Sequence, residues 1–267
     1  MKLRFVLAAM IWLVVSAVLA ASERTPVSAI DPVVGEKLGR ELVQQILELR
    51  PTENLTNTGL LKILKSKNNP VEIDIPVQFK VSVTRSNWQA VYRTQITATN
   101  GDINFGRTYF SWLTIIRSDG QPDVYQVPNV NPPREDTNQF FNLTPEQTMT
   151  PFALSDFWLA DLGLEFLHWP QQKVLKKEMR RSCSCSVLES VNPHPTTNGY
   201  SRVVTWIDNE SLGIVQAEAY DSKNKLLKEF YPKDIKKVNG QWQVQTMEIS
   251  NVQTRSRTRI EFHLESH

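Results

Sequence analysis

Two cysteines, Cys183 and Cys185, are all that 267 residues contain. A chain of this length can bury a core large enough to fold without cross-links, so no disulfide framework is needed even in an oxidising compartment. Long apolar runs are equally scarce. One runs from Phe5 to Val15, and no later stretch reaches the roughly 20 residues of a membrane-spanning helix. Charge of one sign is missing too. Of the 30 basic and 28 acidic residues, the first twenty positions hold two basic ones and no acidic one, so the remainder is balanced. That balance excludes the bulk positive footprint of a nucleic-acid binder. No Gly/Ser linker, low-complexity tract or repeat divides the chain. Catalytic signatures with fixed local spacing are absent: there is no G-x-S-x-G elbow, no H-E-x-x-H and no phosphate-binding loop. His168, His194, His263 and His267 show no ligand spacing with the cysteines. No enzyme, metal or other cofactor is therefore expected.

The first twenty residues have the plan of an export signal. Lys2 and Arg4 are the charged region and Phe5 to Val15 the apolar one. Small residues follow, with cleavage expected after Ala20 or Ala21. The apolar stretch is short for a membrane anchor, so export with cleavage is the expectation. Residues 22–267 then form one soluble β-rich domain, since β sandwiches and barrels often run this long.

Beyond the signal, hydrophobic periodicity gives one clear helix over residues 33–50, with Val34, Leu38, Leu42, Ile46 and Leu49 on one face. Asp31-Pro32 supplies a cap and a first-turn proline, and Pro51 a stop. From Asn54 to Val127 the period changes to two, which predicts strands in IPVQFKVSV, QAVYRTQITAT, TYFSWLTII and PDVYQVP. Residues 128–150 read as a long loop. SDFWLADLGLEFLH, 155–168, predicts a second helix capped by Ser155. A strand over about 172–190 follows. The last third, YSRVVTWID, GIVQAEAYD, KLLKEFY, QWQVQTMEI and TRIEFHL, predicts an antiparallel meander. The fold class is α+β, mainly antiparallel β.

Three constellations stand out, each with a plain alternative. Cys183 and Cys185 point the same way at i and i+2 of a strand, which allows a local disulfide or two buried thiols. Arg255, Arg257 and Arg259 alternate along one strand face, either as a docking patch for anionic headgroups or an acidic partner, or as a solvated face. Aromatics gather in TYFSWL (Phe110, Trp112) and in the second helix (Phe157, Trp158, Phe166, with Leu162). They make either an ordinary core or the cavity and lid of an apolar ligand site.

The second half resembles the outer-membrane lipoprotein-sorting family, the LolA/LolB-like carriers. The resemblance is carried by FALSDFWLADL at 152–162, CSVLES at 185–190 leading to RVVTWID at 202–208, AYDSKNKLLK at 219–228 and MEISN at 247–251. It implies an unclosed β-barrel with helices plugging the concave face. It also implies a monomeric periplasmic carrier that shields acyl chains of lipoproteins or lipids, delivers them to the outer membrane and meets membrane-bound donor or acceptor proteins. A lipid- or protein-sensing regulatory module of the same fold is the alternative. An exported hydrolase is a third class, which two carboxylates or a Ser–His pair converging in a pocket would support.

Overall fold

Period-two alternation runs through most of the chain, and the computed structural model turns it into a single antiparallel sheet. The structure describes residues 30–65, 71–97, 108–129, 139–238 and 241–264; the expected export signal and its expected cleavage positions lie outside them. Helix α1 (Pro32–Leu47) precedes β1 (Leu55–Lys65), β2 (Val71–Val83), β3 (Asn87–Thr97), β4 (Thr108–Ser118), β5 (Val124–Pro128) and β6 (Phe140–Asn142). Two short helices follow, α2 (Pro145–Thr148) and α3 (Leu159–Gly163), then a 3₁₀ turn at Glu165–His168. The remaining strands are β7 (Gln171–Arg180), β8 (Cys183–Val191), β9 (Tyr200–Asp208), β10 (Ile214–Asp221), β11 (Leu226–Val238), β12 (Gln241–Asn251) and β13 (Ser256–Phe262).

Sheet order is β6-β5-β4-β3-β2-β1-β13-β12-β11-β10-β9-β8-β7, so β6 and β7 are open ends and the barrel is unclosed. Pairing of β1 with β13, with Gly59 opposite Phe262, joins the two halves.

One face of the sheet is continuous apolar core. Ile75, Val77, Phe79 and Val81 of β2, Tyr92 of β3, and Leu113 and Ile115 of β4 share a cluster with Val203 and Ile207 of β9, Ile249 of β12 and Phe262 of β13. Residues 150–169 plug this inner face, with Phe152, Phe157, Leu162 and Phe166 in the same cluster. The outer face carries a second cluster of Cys185, Val187, Val204, Trp206 and Val215.

Several expectations change. The plug is not one helix from 155 to 168. It is a hairpin-like turn, α3 and a 3₁₀ turn, broken where Leu164 takes a left-handed φ of 57°. Ser155 does not cap α3; its Oγ accepts from Phe157 N at 3.1 Å inside the turn. The expected strand over 172–190 is two strands, reversing at Arg181 and Ser182 with φ of 47° and 66°. The expected loop at 128–150 contains β6 and α2.

Helix α1 begins as expected, with Asp31 Oδ1 accepting from Val33 N at 3.0 Å and Val34 N at 3.2 Å. Of the expected stripe, Leu38, Leu42 and Ile46 pack on the core, and the contact extends to one side of it. Val34 is exposed, and Gly35, Gly39, Val43 and Ile46 face inward. The two glycines let the helix lie on the backbone of β7. A Cβ at Gly35 would stand 2.6 Å from the Val174 carbonyl oxygen, and one at Gly39 2.5 Å from that of Gln172. The helix thereby covers a strand that would otherwise be an open edge. Gly39→Ala is expected to destabilise by about 1–3 kcal/mol through overpacking against a backbone that cannot yield. A thermal midpoint unchanged from wild type would show that the helix does not sit there.

Candidate functional site

Burying Phe152, Phe157, Leu162 and Phe166 stabilises the plug by about 1.5–3 kcal/mol each, or roughly 6–12 kcal/mol together. Polar fastenings then fix its position at three places.

At its tip, Asp156 joins β13. Its backbone N–H donates to Thr258 Oγ1 at 2.9 Å, and its carboxylate accepts from Ser256 Oγ at 2.5 Å and Thr258 Oγ1 at 2.9 Å. At its centre, Asp161 accepts from Trp158 N at 2.8 Å, closing the first turn of α3. The same carboxylate accepts from the Tyr200 hydroxyl at 2.8 Å and from Lys228 Nζ at 3.3 Å. Lys228 is only 2% exposed. Its ammonium lies 3.6 Å from the Trp158 ring centroid, and Trp158 stacks on Tyr200 at 4.5 Å. Burial pushes Lys228 down to about 8 against the opposing pull of Asp161.

At the far end, Arg117 donates to the Gly163 carbonyl and, at 2.7 Å, to Asp123 Oδ2, with its guanidinium 4.6 Å above Trp88. Burial opposes ionisation of Asp123, but His168 at 3.3 Å and Arg117 outweigh it and hold the carboxyl below its ordinary value. Gln172 Nε2 donates to the carbonyls of Phe166 at 2.9 Å and Trp169 at 2.8 Å. Glu165 is buried beside Thr148, and desolvation raises it to about 7. Thr148 Oγ1 also lies 2.8 Å from the Pro145 carbonyl. One hydroxyl proton cannot serve two acceptors. The Thr148 hydroxyl donates to either the Glu165 carboxyl or the Pro145 carbonyl.

The plug also holds backbone strain. Ala153, Leu154 and Leu164 have φ of 50°, 63° and 57°, where an L side chain costs roughly 1–2 kcal/mol. Leu154 is exposed, so glycine there would forfeit no burial. Leu154→Gly is expected to raise stability by about 0.5–1 kcal/mol. Chemical denaturation checks this, and a loss of stability would show that the tip is not strained.

With the plug in place, the inner face leaves a space of about 30 Å³ among Leu164, Phe166, Tyr200, Lys228 and Phe230. That is room for a water molecule or two. An open groove of about 880 Å³ runs between α1 (Arg40, Val43, Leu47) and Trp88, Arg117, Leu167 and Trp169. A further cavity of about 280 Å³ lies beside Tyr125, Glu165, His168 and His194.

Of the residues singled out in sequence, Phe157, Leu162 and Phe166 are buried in the plug, and Trp158 is half-buried over Lys228. Phe110 and Trp112 alternate with Leu113 and Ile115 on β4, which puts them on the outer face, away from the plug. There Trp112 carries the Arg93 guanidinium at 3.7 Å and meets Phe140 edge-on at 5.5 Å. Arg257 and Arg259 lie on the outer face around Glu248, which is 1% exposed, together with Lys233 and Tyr231. Arg255 is not on that strand face. It sits in the preceding turn with φ of 59°. Cys183 and Cys185 are free thiols; burial pushes Cys185 up to about 11.

Asp161, Tyr200, Lys228 and Arg117 are residues that the sequence reading did not select. Lys228 had a signal, because it alternates with Phe230 at an apolar position of a strand. Among the described residues, no group of three or more His, Cys, Asp or Glu could hold a metal ion. No described helix is long and apolar enough to cross a membrane.

A family profile described as "Uncharacterized protein" matches residues 134–265. No curated protein sequence matches the chain. Solved structures do. An outer membrane lipoprotein-sorting protein domain from Vibrio parahaemolyticus superposes with a TM-score of 0.62 at 18% identity, covering 86% of this chain and 92% of that one. A DUF1329 family protein from Desulfovibrio piger gives 0.59 at 19% identity, covering 85% and 91%. A LolA superfamily protein from Nitrosomonas europaea gives 0.52 at 14% identity, also covering 85% and 91%. The chain therefore has a LolA-like fold.

Proposed function

We propose that this protein is an exported carrier that holds the acyl chains of lipoproteins or lipids against the inner face of its sheet and hands them on toward the outer membrane. The observation that carries this reading is the plug. A continuous apolar face is covered by a short, irregular, strained segment, held by discrete polar fastenings at Asp156, Asp161 and Gly163. A permanent core has no need of such a cover. The magnitudes also agree. Removing an acyl CH₂ from water contributes about 0.8 kcal/mol, so the roughly 6–12 kcal/mol of the plug's apolar side chains equals about 8–15 methylenes. One ordinary acyl chain can thus replace the plug at nearly balanced free energy, and that balance permits both uptake and release. The groove between α1 and Trp88 is the route by which a chain enters.

The test is direct. The purified protein is mixed with a detergent-solubilised triacylated lipoprotein and the detergent is removed. The lipoprotein is expected to stay soluble and to co-elute with the protein; its precipitation would refute the carrier reading. The cavity beside Glu165 and Asp123 gives the hydrolase alternative a place, but Asp123 is committed to Arg117 and His168. That alternative requires turnover that Glu165→Gln abolishes.

A further inference from the structure

Lys228 is a cation inside an apolar wall. Its pocket is made by Val203, Ala217, Ala219, Phe230 and Ile249, with the Tyr200 hydroxyl beside it. Both polar groups that point into this pocket from the sheet are donors: the ammonium of β11 and the phenol of β9. The acceptor that satisfies both, Asp161, belongs to the plug, as does the Trp158 ring over the ammonium. Its flanking residues Leu162 and Phe166 are apolar and buried. The plug therefore presents to the sheet a carboxylate attached to hydrocarbon, which is the chemistry of an anionic amphiphile.

If the plug leaves, Lys228 and Tyr200 lose their shared acceptor while the apolar wall around them remains. A buried ammonium without a counter-charge is strongly unfavourable. A neutral acyl chain would cover the wall and leave the ammonium unpaired. An acyl chain that ends in a carboxylate or phosphate answers both needs. We propose that Lys228 and Tyr200 form the seat for the anionic head group of an acyl lipid, and that Asp161 occupies this seat when the plug is closed. The proposal rests on the carrier reading and narrows its ligand from any acyl chain to an anionic one.

Binding of four probes to the purified protein tests it: oleic acid, oleyl alcohol, phosphatidic acid and diacylglycerol. Each acid is expected to bind about tenfold or more tightly than its uncharged counterpart, the ratio that a charge-assisted hydrogen bond supplies. Preference for oleic acid over phosphatidic acid, or the reverse, identifies the head group as carboxylate or phosphate. Lys228→Met keeps the length of the side chain and should abolish the preference, so that each acid binds no more tightly than its uncharged counterpart. Tyr200→Phe keeps the ring on Trp158 and should reduce the ratio of acid to uncharged binding. Equal binding of charged and uncharged probes would overturn the head-group seat and leave the carrier reading standing. Failure to bind any of the four would overturn the head-group seat, while the lipoprotein solubility assay decides the carrier reading separately.

Discussion

Asp161→Ala is expected to lower the free energy of unfolding by about 3–5 kcal/mol, the cost of leaving a buried ammonium without its partner. Lys228 is 2% exposed, and its charge is met by the Asp161 carboxylate and the faces of Trp158 and Tyr200. Removing the carboxylate also strips the Tyr200 hydroxyl and the Trp158 N–H of their acceptor. The double variant Asp161→Leu with Lys228→Met should recover most of the loss, because replacing a buried pair by apolar residues of similar volume is often neutral. Guanidinium denaturation of wild type, both single variants and the double variant gives the coupling. If Asp161→Ala cost less than about 1 kcal/mol, the pair would be solvated like a surface salt bridge, and the fastening assigned to it would be wrong.

A comparable effect is expected at Glu165, with pH as the variable. Its folded value is raised from the ordinary 4.5 to about 7 by burial, with Thr148 bonding and the nearby His168 opposing. Below about pH 4.5 both folded and unfolded chains keep the proton, and Glu165 costs nothing. Between there and about pH 7 the unfolded chain releases its proton while the folded one retains it, so stability falls as pH rises. The whole effect is about 3 kcal/mol at 1.36 kcal/mol per pH unit. Other groups work in the opposite sense: Asp123 and Glu248 are held below their ordinary values and lose stability as pH falls. The clean measurement is the difference between wild type and Glu165→Gln. Relative to the variant, wild type should lose about 3 kcal/mol between roughly pH 4 and pH 8. A difference independent of pH would show that folding leaves the proton affinity of Glu165 unchanged.

The antiparallel strands were legible because a sheet with one buried face writes its alternation into the sequence, as in IPVQFKVSV. Helix α1 was legible in position and in part of its facing, since Leu38, Leu42 and Ile46 do pack on the core. Its contact with β7 is made by Gly35 and Gly39, which carry no hydrophobic signal, and so the periodicity pointed to Val34 instead. In the plug, apolar residues at nearly every position fitted a helix, but a segment buried on several sides gives no period from which to read its backbone. Phe110 and Trp112 were grouped with the plug because they are aromatic. Strand parity with Leu113 would have put them on the other face. The Asp161–Tyr200–Lys228 cluster joins residues from three distant segments, and no local spacing could reveal it.

The seam between β1 and β13 sets a kinetic order for assembly. Partners there, such as Gly59 and Phe262, are about 200 residues apart in the chain. β13 also supplies Ser256 and Thr258, which seat the tip of the plug. Neither half-sheet can unite with the other, nor can the plug lock, before β13 has formed and paired. Contacts so distant in sequence close slowly. A folding chain would pass through a long interval with its apolar sheet face uncovered, the condition in which half-built sheets aggregate. Such an intermediate is a natural client for a holding chaperone, and its lifetime would be governed by the pairing of seven residues, Ser256–Phe262.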